Sequence, residues 1–228
     1  MTKQVIHLRP GDELTVVVED ATPPPDHIRG ELGIDVSKWQ GTIDWDAVAA
    51  HEPKVGFVGI RATMGMANID PMFERNWIEA KRIGLQRAAY HYFSNNTFDG
   101  RSQFANFARQ MGDDKGELPP VCDVEPTSGQ VIENKAANTL EIKKWLDAVE
   151  VWFGKKPLIY TSGWAWGNCT TIPNWSRDYG LWLAQYTTAA TPSIPRPWEK
   201  CQIWQYTSKG SMSGITGNVD LNRFGPYP

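Results

Sequence analysis

The chain has 228 residues, 41% of them hydrophobic and 21% charged, a balance that suits a globular domain with a full core. Its formal net charge of -3 argues against a basic surface that tracks phosphates, and no apolar run approaches the roughly 20 residues of a membrane span. Three cysteines and four histidines are too few and too scattered for a disulfide framework or a metal site, so neither metal nor cofactor is expected.

In chain order, QVIHL and ELTVVVED read as strands joined by RPGD, a β-hairpin too small to hold a core alone. The first 20 residues lack a basic start followed by an apolar core, so no secretory leader is expected. ATPPPDHIRG (21–30) is stiff and extended and marks a linker, which divides the chain into an N-terminal extension, 1–28, and a main domain, 29–228. Then strand and helix alternate. ELGIDVS is a strand, and IDWDAVAAH a helix capped by Asp44. KVGFVGIRAT is an apolar strand, and the next helix opens at Asp70-Pro71 and closes at Gly84. QRAAYHYF precedes the helix GRSQFANFARQMGD, and LPPVCDVE precedes a long amphipathic helix ending at Gly154. KPLIYTS leads to a short helix in SGWAWGN. LWLAQY, CQIWQYTS and VDLNRF then follow with only Pro-rich or Gly-rich loops between them. The count is five β/α units and three further strands, and eight strands can close a barrel. Without crossover helices in the tail, the last strands are expected to be antiparallel.

In VCDVEP (121–126), Asp123 and Glu125 flank one valine, so on a strand both face the same way. Two solvated acids at a strand end would explain this hexapeptide equally well. In barrels of parallel strands, however, chemistry collects at the C-terminal strand ends. Asp35 in GIDVS and Asp220 in NVDLN fall at such positions too, on strands that become neighbours if the barrel closes. Four acids without a basic counterweight suit glycoside hydrolysis, which needs a proton donor for the leaving oxygen and negative charge to support an oxocarbenium-like transition state. The Cα atoms of Asp123 and Glu125 would lie roughly 6–7 Å apart, a spacing that leaves the stereochemical outcome open. There are also 11 tryptophans and 7 tyrosines, which can fill a core or lie against sugar faces.

The segments GIDVSKWQGTIDW (33–45), FVGIRAT, AAYHYF (88–93), PPVCDVE (119–125), PLIYTS (157–162), LWLAQY and IWQYTS…ITGNVDLNRF together resemble the family 25 glycoside hydrolases, N-acetylmuramidases of bacterial and phage origin. The resemblance runs from Gly33 to Phe224. It implies a flattened, eight-stranded TIM-like barrel of five β/α units followed by three strands, in agreement with the count above. It also implies cleavage of the β-1,4 bond between N-acetylmuramic acid and N-acetylglucosamine in peptidoglycan. The family's D-x-E motif falls on Asp123 and Glu125, with Glu125 as general acid and then base. Asp123 would either attack the anomeric carbon or orient the substrate's 2-acetamido group as nucleophile, and the second is favoured. Asp35 and Asp220 match the family's other two cleft acids. Tyr92 and Tyr160 are expected near the scissile bond, and Trp182, Gln185, Gln205 and Tyr206 are further substrate-binding candidates. His91 alternates away from Tyr90 and Tyr92, so a structural hydrogen bond is expected of it.

The chain departs from the family where Lys-Ala-Thr-Glu-Gly is usual, reading Arg61-Ala62-Thr63-Met64-Gly65 and so losing an acid. Peptidoglycan is the expected partner, without nucleic acid or membrane insertion, and residues 1–28 could mediate self-association or attachment to a particle. The expected place of action is the bacterial cell wall, either as a phage endolysin made in the host cytosol or as a secreted enzyme. Two other readings are a carbohydrate-binding barrel without catalysis and a glycosidase acting on chitin-like polymers.

Overall fold

The computed structural model describes residues 31–96 and 99–227, together with two strands at 2–7 and 13–18. These strands, β1 (Thr2–His7) and β2 (Glu13–Val18), pair antiparallel as a hairpin outside the main sheet. The turn expected between them and the linker expected at 21–30 lie outside the described residues.

The main sheet is a closed barrel. Its strands are β3 (Leu32–Val36), β4 (Val55–Met64), β6 (Gln86–Tyr92), β7 (Val121–Asp123), β8 (Leu158–Thr161), β9 (Gly180–Ala184), β10 (Cys201–Gly210) and β11 (Val219–Tyr227), with β11 returning to β3. The two-residue β5 (Asn68–Ile69) adds only a short antiparallel rung to the end of β4. Five helices lie between the first six barrel strands: α1 (Trp45–Ala49), α2 (Phe73–Arg82), α3 (Gly100–Met111), α4 (Lys135–Phe153) and α5 (Gly163–Cys169). This is the architecture of five β/α units and three strands.

The direction of the tail strands differs from the sequence expectation. β9 is parallel to β8 and β10 is parallel to β9, so only β11 runs antiparallel to its neighbours. A crossover needs chain length to return along the barrel, and a helix is only the commonest way to supply it. Residues 185–200 supply it irregularly. Trp198 is buried and its indole N–H donates to Tyr179 O at 3.0 Å, which fastens this segment to the outside of the barrel.

Period-two alternation along the strands builds two core layers. On β4, Val58, Ile60 and Ala62 face outward, where they join Trp145, Leu146, Phe107 and Trp77 of the helices. Phe57 of the same strand faces inward and meets Ala88, Val121, Leu158, Trp182, Ile203 and Phe224 in the barrel interior. Gly59 makes room for that filling, because a Cβ there would come within 2.6 Å of the Trp182 ring. Cys122, Cys169 and Cys201 are free and buried.

Two helix starts can be compared with the sequence. Asp44 caps α1, accepting the Ala47 N–H at 3.1 Å. α2 begins at Phe73 rather than at Pro71, with no side-chain cap. Asp70 is engaged elsewhere: its carboxylate accepts from Arg61 Nε at 2.7 Å, Lys38 N at 3.0 Å and Met72 N at 3.0 Å. A nearly inaccessible carboxylate with a guanidinium available pairs with it before it caps a helix.

Candidate active site

The C-terminal ends of the parallel strands open onto a cleft of about 210 Å³. β-sheet register delivers its walls. Tyr92, Asp123, Tyr160 and Trp182 stand side by side on β6, β7, β8 and β9, so one row of inward-facing positions places two tyrosines on either side of Asp123. Asp35 and Asp220 are direct cross-strand partners on β3 and β11. All of these line the cleft, and so does Glu125.

Strand β7 stops at Asp123, so Glu125 lies beyond it, and its position depends on other contacts. The Phe93 N–H donates to Asp123 O at 2.8 Å, and the Val124 N–H to Tyr160 O at 2.9 Å. Thr161 Oγ1 donates to Val124 O and Asn95 Nδ2 to Glu125 O, each at 2.8 Å. Asn95 is held in turn by Asn138 of α4 at 2.7 Å. The backbone of the D-x-E segment is thus tied on both sides, to the chain after β6 and to β8. Cys122 and Val124 point the other way, into the outer core.

Electrostatically, the cleft favours protonated acids. Burial first, then the charge of Asp35, pushes the Glu125 carboxyl up to about 7. Burial, then Asp35, pushes Asp220 up to about 8. Asp123 is only 5% exposed, and burial together with Glu125 and Asp35 raises it well above the ordinary carboxylate range, with Arg61 opposing. Asp123 Oδ1 is buried without a hydrogen-bond partner in the protein. Such an atom is costly unless a ligand supplies the donor. Burial also raises Asp35, against hydrogen bonds from Asn222 and Gln205 that favour its charged form.

Of ten candidates from the sequence, Glu125, Asp123, Asp35, Asp220, Tyr92, Tyr160 and Trp182 meet at the cleft. Trp182 is 2% exposed and forms its floor, donating to Asn222 Oδ1 at 2.8 Å. Gln205 lies below the surface, donating to Asp35 Oδ2 and accepting from the hydroxyls of Tyr160 and Tyr186. Gln185 braces a loop by accepting the Ser193 N–H, and Tyr206 packs on Trp204 under Arg223. Neither lines the cleft. His91 is fully buried on the outer face, between Thr63 and Gln103 and stacked on Trp145. The sequence reading missed Trp39, Gln40, Ser37, Arg61 and Tyr90 as lining residues. Trp39 was legible in SKWQG: a tryptophan just past a strand end, here 76% exposed on a 3₁₀ turn whose capping box is Ser37 and Gln40.

Comparison with known proteins agrees with this architecture. Residues 34–215 match the glycosyl hydrolases family 25. The chain is 35% identical over 199 residues to the uncharacterized protein YegX of Escherichia coli K12, covering 84% of this chain and 68% of that one. It is 31% identical over 215 residues to lysozyme M1 of Streptomyces globisporus, covering 90% and 71%. The crystal structure of the bacterial lysozyme from Streptomyces coelicolor superposes with a TM-score of 0.77 at 30% identity, over 86% of this chain and 92% of that one. With a family match over most of the barrel and a lysozyme sharing its fold, the chain belongs to the glycosyl hydrolases of family 25 and is a glycoside hydrolase of the lysozyme class.

Proposed function

We propose that this enzyme is an N-acetylmuramidase that cleaves the β-1,4 bond between N-acetylmuramic acid and N-acetylglucosamine in peptidoglycan, with retention at the anomeric carbon. Glu125 protonates the leaving oxygen and then, as carboxylate, takes a proton from the incoming water. Asp123 accepts the N–H of the substrate's 2-acetamido group and turns its carbonyl oxygen toward the anomeric carbon, so that the substrate supplies the nucleophile. The observation that carries this reading is the unpartnered, buried Oδ1 of Asp123 beside an acid raised to about 7. A buried acceptor lacking a donor suits an amide N–H, and an acid titrating near neutrality can both give and recover a proton. Asp35 and Asp220 shape the charge of the cleft, and Tyr92, Tyr160 and Trp39 offer ring faces and hydroxyls to sugars.

Purified cell walls provide the test, by turbidity loss and by new reducing ends on muramic acid. Glu125→Gln is expected to lower the rate by 10³-fold or more, on the order of a general acid and base lost together. Asp123→Asn is expected to lower kcat while wall binding persists. Equal muropeptide release by wild type and Glu125→Gln would sink the assignment. The enzyme then acts on the bacterial cell wall, and the β1–β2 hairpin serves to attach it to a copy of itself or to a particle.

A further inference from the structure

Beneath the cleft, two side-chain amides converge on one carboxylate oxygen. Asn222 Nδ2 and Gln205 Nε2 donate to Asp35 Oδ2 at 2.8 and 2.9 Å. The orientation of Asn222 is dictated by its other end. The Trp182 indole N–H can only donate, and it lies 2.8 Å from Asn222 Oδ1. The oxygen end of Asn222 must therefore face Trp182, and its NH₂ must face Asp35. Gln205 is also held at its far end, where Oε1 accepts the hydroxyls of Tyr160 and Tyr186 at 2.9 and 2.8 Å. Asn222 is 0% and Gln205 1% exposed, so neither can turn its amide toward water.

Two N–H donors on Oδ2 keep a proton off that oxygen and stabilise the carboxylate form of Asp35 over the acid. Asp220 is the direct cross-strand partner of Asp35, and two carboxyl groups placed side by side disfavour a second negative charge, so the pair favours holding one proton. Among the described residues no side-chain amide donates to Asp220. We propose that Asn222 and Gln205 are positioning residues that fix the negative charge of the Asp35–Asp220 pair on Asp35 and its proton on Asp220, with Trp182 setting the amide of Asn222. The charge then stands in the cleft that Asp35 shares with Glu125 and keeps Glu125 in its proton-donating form. This rests on Glu125 being the general acid.

The other groups facing the pair leave that assignment in place. Tyr90 of β6, Tyr160 of β8 and Tyr186 of the loop after β9 are all raised by burial and stay neutral. Asp123 is raised likewise. Arg61 of β4 is bound to Asp70. The two amides are thus what distinguishes one carboxylate of the pair from the other.

The decisive experiment is an NMR titration of protein carrying ¹³C-labelled glutamate, with the Glu125 carboxyl assigned by its loss in Glu125→Gln. The pH profile of kcat/KM on purified peptidoglycan is measured beside it. Asn222→Leu and Gln205→Met each remove one donor, and each is expected to lower the Glu125 midpoint and the basic limb of activity by roughly one pH unit. Gln205→Met carries the test if Asn222→Leu fails to fold. Asp35→Asn is expected to lower both by at least as much, and Asn222→Leu added to it to lower them no further. A Glu125 midpoint unmoved by donor removal would overturn the proposal, as would a full additional shift on the Asp35→Asn background. A separate result, wild-type cleavage by Glu125→Gln, would overturn the catalytic reading instead.

Discussion

Glu125 titrates near 7 because burial and the Asp35 charge both disfavour its carboxylate, and Asp220 near 8 for the same two reasons. In the unfolded chain both carboxyls would titrate near 4. Between those limits the folded state binds more protons, so the contribution of these acids to stability is greatest below pH 4 and is lost as pH rises through 7 to 8. Glu125→Gln removes an ionisation that opposes folding. It is expected to raise Tm by roughly 3–8 °C at pH 8, corresponding to about 1–3 kcal/mol, with no gain at pH 4. A calorimetric series across that range checks the sign; equal gains at both pH values would contradict it. His91 acts in the opposite direction, since burial lowers it from 6.5 to about 4. There the unfolded chain holds the extra proton, so the stability linked to neutral His91 is present above pH 6.5 and is lost as pH falls toward 4. Much at this scale was legible in the sequence. D-x-E spacing and strand alternation pointed Asp123 and Glu125 to one side and His91 to the other. The roles of Asn222, Gln205 and Arg61 were not legible, because a hydrogen bond between residues 187 positions apart leaves no local pattern.

Among the elements, helices and strands with strong periodicity fell where the pattern put them, and the discrepancies have local causes. LPPVCDVE shortens to Val121–Asp123: Pro119 and Pro120 have no N–H to give the ladder, and the Val124 N–H to Tyr160 O bond is the last backbone tie to β8 before Glu125. α2 starts late because Asp70 is drawn into its pair with Arg61. The loop after α5 contains a less expected feature. Ile172 has φ +53°, a left-handed conformation that a β-branched side chain adopts only under strain, and it is 46% exposed. Little burial is at stake there, whereas asparagine tolerates that backbone. Ile172→Asn is expected to stabilise the enzyme by about 1 kcal/mol, read as a Tm increase of roughly 2–4 °C with unchanged cleavage. A lower Tm would mean that the half-exposed Ile172 side chain contributes more through packing than its backbone loses in strain.

For the whole molecule, every strand of the closed barrel lies between residues 32 and 227, and the β1–β2 hairpin belongs to a separate two-stranded sheet. A chain starting at residue 29 is therefore expected to fold, to melt cooperatively and to clear cell walls at the wild-type rate. Sedimentation of the two chains side by side tests the hairpin's attachment role: a full-length monomer, unchanged by the deletion, would remove self-association from consideration. The number of strands, their order along the chain and the acids at their ends follow from hydrophobic period, turn residues and motif spacing. All of these are local quantities that a single sequence displays. Strand direction in the tail was decided only in three dimensions, because the irregular segment 185–200 does the work of a helix by anchoring Trp198 against the barrel. The closing of the cleft was decided there too, when β11 returned to β3 and set Asp220 opposite Asp35. Charge, burial and shared protons depend on distances between residues far apart in the chain, and only the folded barrel sets those distances.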